Sequence, residues 1–259
     1  MKKEIQRERK GGILVHIFDS EGKEWKRGIL EALPLDFTKP QCICAVGGGG
    51  KTTLIKKLAF ELVKQKKVIC LTTTKIRRPD YGRIVEKESM VLVQQGEEKE
   101  IVTVALPWTE EKMTGVSNEF QEQLIRQYEA ILIEADGSKG LPTKVPNDTE
   151  PVIPKQTTCV LGIQGIDALD QPIEFVCHRK ELVCEFLGKT KEERLTLEDM
   201  AKIYSSKYAL QKNVEDAVFV AVIQKVDREE QRQKAVALSQ LLKERGLKHI
   251  IITGNNQKQ

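Results

Sequence analysis

The feature of this sequence that most constrains its fold is a run of four glycines followed by a lysine and two threonines. The run comprises Gly47, Gly48, Gly49, Gly50, Lys51, Thr52 and Thr53. Glycine adopts positive φ angles easily, and without a Cβ it lets a ligand approach the backbone closely. The apolar residues 41–46 predict a strand before the run, and helical spacing predicts a helix from Lys51 to about residue 66. A strand, a bare loop and a helix N-terminus are together typical of a phosphate-binding loop.

Within this predicted loop, the residue types indicate separate roles. The four glycines and Thr53 would surround the phosphates of a nucleotide with backbone. Lys51 would reach the β- and γ-phosphates, and the Thr52 hydroxyl would bind Mg²⁺. The predicted ligands are therefore Mg²⁺ and either GTP or ATP.

The remaining chain favours an α/β fold. Compact apolar runs that predict strands alternate with helical patterns; they lie at residues 41–46, 67–71, 130–136, 158–163, 217–223 and 249–253. Such runs are typical of a mostly parallel sheet with helices on both faces. We predict one P-loop NTPase domain, similar to the SIMIBI class, over the whole chain 1–259. It would carry an N-terminal extension (1–38), a hairpin insertion (85–110, from two strands within 90–106) and a small helical portion (178–211).

Charge and hydropathy exclude several classes of function. The chain has 42 basic and 38 acidic side chains and a net charge of +4, an excess too small and dispersed to indicate nucleic-acid binding. The apolar run near the N-terminus is too short for an export signal, and residues 217–223 are too few to span a bilayer. We expect a cytoplasmic protein with no nucleic-acid or membrane partner.

Nucleotide hydrolysis also needs an acidic residue that organises the metal ion. The predicted strand at residues 130–136 ends in Glu134-Ala135-Asp136-Gly137, an E-x-x-G pattern where many GTPases have D-x-x-G. If the strand stays extended to its end, Glu134 and Asp136 point to the same side. Glu134 is predicted to hold Mg²⁺ directly or through water. For Asp136, a cap of the following turn is an alternative to a metal role.

A second strand ends in three threonines at the same predicted edge of the sheet. The hydroxyls of Thr72, Thr73 and Thr74 would touch Mg²⁺ or the γ-phosphate and act as a switch. The alternative is that threonine was selected here for its strand propensity.

Base preference is predicted from residues 224–227, which follow a late strand. They differ at one position from N-K-x-D, because Gln224 replaces the asparagine. The Asp227 carboxylate would accept hydrogen bonds from guanine, and the stem of Lys225 would lie along the base. GTP is therefore favoured over ATP.

The segment "IEADGSKGLPTKVPNDTEPVIP" (133–154) is the most specific part of the sequence. Together with the glycine run, "LTTTKI", "GIDAL" and "CHRKELV", it resembles the selenium-dependent molybdenum hydroxylase accessory family, the YqeC-type P-loop proteins. The resemblance covers about residues 40–227. It implies a cytosolic protein that helps to mature selenium-dependent molybdenum hydroxylases, by forming or inserting a labile selenium cofactor. That hydroxylase, or its cofactor machinery, is the implied partner.

The loop at 137–154 carries two candidate polar residues. A loop of this length directly after a metal-binding strand is usually functional. Lys144 would hold an anionic substrate, and Glu150 would orient it or act as a base. An exposed ion pair between the two is the alternative.

Residues 176–184, "VCHRKELVC", offer a further candidate site. The resemblance supports His178 and Arg179 as residues that contact the substrate or partner. If a helix begins at Cys177, then Cys177 and Cys184 lie on one face, where thiolates could bind a soft metal or a selenium species. Buried thiols are the alternative, and they are also expected for the other four cysteines, none of which forms a CxxC pair.

These observations predict a Mg²⁺-dependent nucleoside triphosphatase that acts as a maturation factor. Lys51, Glu134 and Asp136 are the predicted catalytic residues, and the loop at 137–154 would couple the nucleotide to cargo or partner. Two alternatives stay open. One is an ATP-dependent kinase or activating enzyme for a small molecule, and the other is a non-hydrolysing module whose docking surface the nucleotide switches. No pattern in the chain indicates its oligomeric state.

Overall fold

The computed structural model describes residues 15–19, 21–25 and 28–255. Within these ranges the strands are β1 (Val15–Phe18), β2 (Glu24–Trp25), β3 (Gln41–Gly47), β4 (Val68–Thr72), β5 (Ile76–Arg77), β6 (Arg83–Val85), β7 (Ile101–Val104), β8 (Leu106–Pro107), β9 (Lys112–Thr114), β10 (Ala130–Glu134), β11 (Thr143–Lys144), β12 (Cys159–Gly165), β13 (Cys177–His178), β14 (Val218–Gln224) and β15 (Ile250–Asn255). The helices are α1 (Ile29–Ala32), α2 (Lys51–Leu62), α3 (Met90–Gln94), α4 (Asn118–Gln127), α5 (Ile173–Val176), α6 (Lys180–Leu187), α7 (Leu197–Ser205) and α8 (Glu229–Glu244).

Ten strands form one sheet, in the order β2-β1-β15-β14-β12-β3-β10-β4-β7-β6. Every neighbouring pair from β15 to β6 is parallel, whereas β1 is antiparallel to both of its neighbours. The central strands β3, β10 and β12 are buried along their whole length, as expected for a sheet covered on both faces. The prediction of an α/β fold with a mostly parallel sheet is confirmed.

Alternate residues of β3 face two separate apolar cores. Ile43 and Ala45 pack in a core with the buried side of α2, whereas Cys44 and Val46 pack in a core with α4, α7 and α8. This alternation follows from the two-residue period of a strand. None of the helices in the described part of the chain is both long and apolar enough to cross a membrane.

The predicted N-terminal extension contributes to the main sheet. β1 pairs with β15, and β2 pairs with β1 at the edge. The first fourteen residues of the predicted extension lie outside the described ranges. The predicted helical portion at 178–211 contains α6 and α7.

The predicted hairpin within residues 90–106 is wrong. Met90–Gln94 forms α3, where the Ser89 side chain caps the helix by accepting a hydrogen bond from Leu92 N. Only the second half is a strand, β7, and it lies parallel to β4 in the main sheet. A run of four apolar residues followed by a glutamine fits a short helix as well as a strand, so capping and burial of Val93 decide its conformation.

Candidate functional site

Parallel strands bring the predicted site residues to one edge of the sheet. The last residues of β3, β4, β10, β12 and β14 are Gly47, Thr72, Glu134, Gly165 and Gln224, respectively. β3 lies between β10 and β12, so its end is flanked by the ends of both. In open α/β sheets, ligands bind at the carboxyl ends of the strands.

The glycine-rich loop, residues 47–50, connects β3 to the first turn of α2. Gly47, Gly49 and Gly50 have φ angles of 97°, 80° and 121°, a region that residues with a Cβ rarely adopt. Gly48 needs the absence of a side chain for a different reason, since a Cβ there would lie 2.6 Å from the carbonyl oxygen of Leu141. All four glycines are therefore required by the conformation of the loop or by its close neighbours.

Backbone and side-chain acceptors hold the glycine-rich loop from three directions. Gly48 N donates to the carbonyl of Ile163 at 2.9 Å, and Gly49 N donates to the carbonyl of Leu141 at 3.0 Å. Gly47 N donates to both carboxylate oxygens of Asp136, at 2.9 and 3.1 Å. The loop at 137–154 thus lies directly against the glycine-rich loop.

Thr52 and Glu134 form a hydrogen-bonded pair beside this loop. The Thr52 hydroxyl donates to Glu134 Oε2 at 2.7 Å, and Thr52 itself is exposed to solvent. Burial raises the pKa of Glu134, although the charge of Lys51 and the hydrogen bond from Thr52 oppose this effect. A hydroxyl and a carboxylate are oxygen ligands of the kind Mg²⁺ prefers. In the described residues, no group of three or more His, Cys, Asp or Glu side chains could hold a metal ion.

Asp136 connects two buried lysines. Lys51 Nζ contacts the carbonyl of Gly47 and lies 3.1 Å from Asp136 Oδ1, and both side chains are 2% exposed. On its other side, Asp136 Oδ2 lies 3.3 Å from Lys144 Nζ. With its contacts to Gly47 N and two lysines, Asp136 organises the base of the loop.

The line of charges continues away from the glycine-rich loop. Lys144 Nζ donates to Glu150 Oε2 at 2.7 Å, and the same carboxylate oxygen lies 2.9 Å from Arg179 Nη2. We call this alternating series the charge chain; it consists of Lys51, Asp136, Lys144, Glu150 and Arg179. It connects the glycine-rich loop to the start of α6.

The structure corrects both interpretations of Lys144. Its side chain is 0% exposed, and Nζ already contacts Asp136, Glu150 and the carbonyl of Gly137. An exposed ion pair is therefore wrong, and Lys144 offers no surface on which an anionic substrate could lie. A buried lysine needs such partners because an unpaired charge is costly in the interior.

The charge chain makes the contribution of Glu150 to stability dependent on pH. Burial acts to raise the pKa of Glu150, but Lys144 and Arg179 outweigh it and hold this pKa below its ordinary value of 4.5. The unfolded chain therefore binds the proton first, so the stabilisation is complete above about pH 5 and is lost as pH falls through the folded-state pKa.

We expect Glu150→Gln to lower the free energy of unfolding by about 1–3 kcal/mol at pH 7, the usual cost of losing a charged buried partner. The difference from the parent protein should shrink below pH 4.5, the ordinary pKa of the group. Urea unfolding between pH 3.5 and 7.5 measures this difference. A difference that stays constant over the whole range would contradict the assignment.

The three threonines after β4 have different surroundings. The Thr72 hydroxyl donates to the carbonyl of Thr74 or of Glu134 and accepts from Thr74 N, so the local turn uses it fully. The Thr73 hydroxyl is buried and has no hydrogen-bond partner among the described residues. Of the predicted switch residues, Thr73 therefore has the unused polar group.

The predicted base-binding segment also lies beside the glycine-rich loop. Gln224 is buried, and a Cβ added to Gly50 would lie 2.5 Å from its Oε1, so its amide lies directly against the loop. Lys225 has a φ of 63°, and its Nζ pairs with Asp167 Oδ2 at 2.7 Å. Asp227 faces α2, since its charge raises the pKa of Lys57 against the larger, lowering effect of burial.

The predicted helical face shared by Cys177 and Cys184 is wrong. Cys177 and His178 form β13, which pairs with β11 so that Lys144 lies opposite His178. α6 begins only at Lys180, because Arg179 adopts a left-handed conformation with φ 58° and ψ 54°. All six cysteines are free thiols, and all are buried except Cys184, which is half-buried. Burial raises the pKa of Cys177 to about 12, and the nearby Cys184 adds to this effect.

Sequence reasoning missed the contribution of β12 to the site. The carbonyl of Ile163 accepts from the glycine-rich loop, and a Cβ on Gly49 would lie 2.3 Å from Gly165 N. A Cβ on Gly165 would in turn lie 2.2 Å from Asp167 Oδ1. Asp167, the partner of Lys225, follows directly. The "GIDAL" segment was noted in the sequence, but no local pattern indicated that this segment would lie against the glycine-rich loop.

Fold and site together define an α/β protein with a glycine-rich loop, a hydroxyl–carboxylate pair and a buried charge chain at one edge of a mostly parallel sheet. Comparison with known proteins identifies the family of this chain. The model of a family described as YqeC protein matches residues 43–181, more than half of the chain. The chain is 30% identical over 213 residues to the uncharacterized protein YqeC of Escherichia coli (strain K12), covering 79% of this chain and 82% of that relative. The chain belongs to the YqeC family. No solved structure matches it.

Proposed function

We propose that this protein binds a nucleoside triphosphate with Mg²⁺ at the glycine-rich loop and hydrolyses it. The observation that carries the proposal is the 2.7 Å hydrogen bond between Thr52 and Glu134 at the start of α2. Proteins commonly bind Mg²⁺ through one or two carboxylates, with substrate phosphates and water as the other ligands. Thr52 and Glu134 would hold the ion, which neutralises the phosphates and the charge that develops during transfer.

Lys51 would bind the phosphate tail. Its Nζ lies at the N-terminal end of α2, where the helix dipole also favours an anion. Its present partners are a backbone carbonyl and Asp136, which already has Lys144 as a second cation. Lys51 would therefore turn to the phosphates without leaving Asp136 unpaired.

Guanine is favoured as the base because residues 224–227, at the end of β14, differ at one position from N-K-x-D. The Gln224 side chain lies beside Gly50, and Lys225 Cδ lies 3.2 Å from the position of a Cβ on Gly165, beside the loop. A guanine base would lie along the Lys225 stem and donate hydrogen bonds to the Asp227 carboxylate. GTP is therefore the proposed nucleotide.

The proposed biological role is the maturation of selenium-dependent molybdenum hydroxylases in the cytoplasm. Its support is the family relationship together with the 133–154 segment that carries the family resemblance. That segment lies against the glycine-rich loop through the Gly49–Leu141 hydrogen bond. Binding or hydrolysis of the nucleotide would thus act directly on the loop that is proposed to contact the hydroxylase or its cofactor machinery.

Glu134→Gln is expected to stabilise the fold and at the same time to abolish the effect of Mg²⁺ on nucleotide binding. Because burial raises the pKa of Glu134, the folded state disfavours its charge, and this penalty is complete above the folded-state pKa. The amide should therefore raise the free energy of unfolding at pH 7.5 by about 0.5–2 kcal/mol, a gain typical of removing a functional charge. In nucleotide titrations, the same variant should lose the increase in affinity that Mg²⁺ gives the parent protein.

Thr52→Ser is the matched control for this experiment, since it keeps the hydroxyl and should retain the Mg²⁺ effect. The stability gain of Glu134→Gln should vanish below pH 4.5, where the parent carboxyl is also protonated in the unfolded chain. If Glu134→Gln kept the full Mg²⁺ effect, the proposed metal site would be wrong.

Product analysis decides what the bound nucleotide does. With GTP, Mg²⁺ and the cognate hydroxylase, the proposal predicts release of GDP and inorganic phosphate. Transfer of the phosphoryl group to a small molecule would instead identify a kinase or activating enzyme. Turnover at background level with the hydroxylase present would identify a nucleotide-switched binding module.

A further inference from the structure

The outer end of the charge chain is a second polar centre, which we call the 178–179 corner after His178 and Arg179. β13 pairs with β11 in parallel, and this register fixes His178 opposite Lys144. Arg179 follows as the last residue before α6 and keeps one nitrogen on Glu150. The corner is half-buried, in contrast to the fully enclosed Lys144.

Two buried polar atoms of this corner have no hydrogen-bond partner in the described part of the chain. They are His178 Nδ1 and Arg179 Nε. Such atoms are uncommon in folded proteins because each one loses its bonds to water without replacement. Because two adjacent residues each have one unpaired buried polar atom, these atoms indicate a ligand site rather than a defect in packing.

The backbone of Arg179 adds an independent observation. Its φ of 58° is uncommon for a residue with a Cβ, and the neighbouring sequence has no glycine that would take this position. Strained backbone conformations of this kind concentrate at functional sites. Here the conformation turns the chain from β13 into α6 and places His178 and Arg179 side by side.

The charges around the corner are predominantly positive. Lys139, Lys144 and Arg179 all act on His178, with Glu150 as the opposing carboxylate. Burial lowers the pKa of His178, and Lys144 and Arg179 lower it further, so the imidazole is neutral at physiological pH. A neutral imidazole beside a guanidinium offers a hydrogen bond and a positive charge to an oxyanion.

We propose that His178 and Arg179 bind an oxyanion group, namely the phosphate of a small-molecule substrate. The guanidinium has an unpaired Nε, guanidinium groups match the geometry of phosphate oxygens, and Lys139 adds charge at the exposed side. Glu150 competes with this ligand for Arg179, because both bind the same guanidinium. The site thus takes the role that the sequence assigned to Lys144, but at the outer end of the charge chain, beyond Glu150.

The charge chain also predicts how this site responds to the nucleotide, a part that rests on the proposed function. When phosphates take Lys51, Asp136 is left with Lys144 and draws it closer. Glu150 then loses part of its hold on Lys144 and binds Arg179 more strongly. Nucleotide and oxyanion should therefore weaken each other's binding by the same factor, about 5-fold or more.

Histidine NMR gives a local test, since the chain contains only three histidines. Protein labelled with ¹⁵N-histidine is titrated with inorganic phosphate in the absence of nucleotide, and the resonance of His178 is assigned with His178→Gln. We expect a saturable shift of the His178 imidazole, while the His249 resonance stays unchanged as an internal control. Phosphate bound at the glycine-rich loop alone would leave His178 unmoved, and that result would overturn the proposal.

Two variants test the assigned contacts. Arg179→Gly suits the left-handed backbone and removes the guanidinium, so it should fold and bind phosphate at least 10-fold more weakly. Glu150→Gln removes the competing charge and should bind phosphate about 5-fold more tightly, in line with ordinary coupling between sites. Unchanged affinity in Arg179→Gly, with a native circular dichroism spectrum, would contradict the site.

The coupling is tested by repeating the phosphate titration with a GTP analogue and Mg²⁺. Weaker phosphate binding supports the charge chain as the connection, and unchanged or tighter binding overturns it. Failure of the GTP analogue to bind is measured separately and would count against the proposed nucleotide site. The nucleotide-free titration still decides whether the 178–179 corner binds phosphate.

Discussion

Replacement of Lys51 by alanine is expected to weaken the binding of a GTP or ATP analogue by about 100-fold or more. Loss of one partner from a buried, hydrogen-bonded charge pair costs about 2–5 kcal/mol, and 2.7 kcal/mol corresponds to a factor of about 100 in affinity. The Lys51 side chain is almost fully buried at the start of α2, so it would turn from Asp136 to the phosphates in a poorly hydrated environment, while Asp136 keeps Lys144. Isothermal titration of both proteins in the presence of Mg²⁺ measures the difference.

The fold should survive this change. Without Lys51, Asp136 keeps Gly47 N and Lys144 as partners. Lys64→Ala, at an exposed position just after α2, is the matched control and should bind nucleotide like the parent protein. If Lys51→Ala bound the nucleotide analogue as tightly as the parent protein, the assignment of the glycine-rich loop as the nucleotide site would be wrong.

Replacement of Lys144 by methionine is expected to cause the largest loss of stability. Methionine has a similar length, but Asp136 and Glu150 would each lose a cation in a site where Lys144 is 0% exposed. Removal of one partner from a buried ion pair typically costs about 3–5 kcal/mol. Urea unfolding at pH 7 measures the change, with Lys155→Met at the exposed position directly after this loop as the control.

The double variant Lys144→Met/Glu150→Gln shows whether the charge chain causes this loss. Glu150→Gln removes one of the two carboxylates that lose a cation in Lys144→Met, so it should restore part of the lost stability. Residues in one network give such non-additive effects, commonly 0.5–3 kcal/mol. Strictly additive losses would mean that Lys144 and Glu150 act independently, contrary to the contact at 2.7 Å.

The part of the site that the sequence predicted best depends on local patterns. The strand, glycine-rich loop and helix at residues 41–62 were predictable because glycine tolerates positive φ and α2 has a helical apolar period. The parallel sheet also brings the ends of β3 and β10 together, so Thr52 and Glu134, each predicted as a magnesium ligand, lie within hydrogen-bond distance. These inferences need only periodicity and strand order.

The inferences that failed depend on tertiary contacts. Residues 90–94 have no period that separates a strand from a helix, and capping by Ser89 decides for α3. The burial of Lys144 depends on Asp136 and Glu150 from two ends of a folded loop, which no sequence window reveals. The left-handed conformation of Arg179 could not be predicted either, because arginine seldom adopts a positive φ.

The most direct test of the account is isothermal titration of the unmodified protein with non-hydrolysable GTP and ATP analogues, with and without Mg²⁺. The account predicts that one nucleotide binds per chain, that Mg²⁺ strengthens its binding, and that the guanine analogue is preferred. Preference for the adenine analogue would refute the base-binding role of Lys225 and Asp227 while leaving the phosphate site intact. Failure of both analogues to bind in the presence of Mg²⁺ would contradict the central claim that the glycine-rich loop is a nucleotide site.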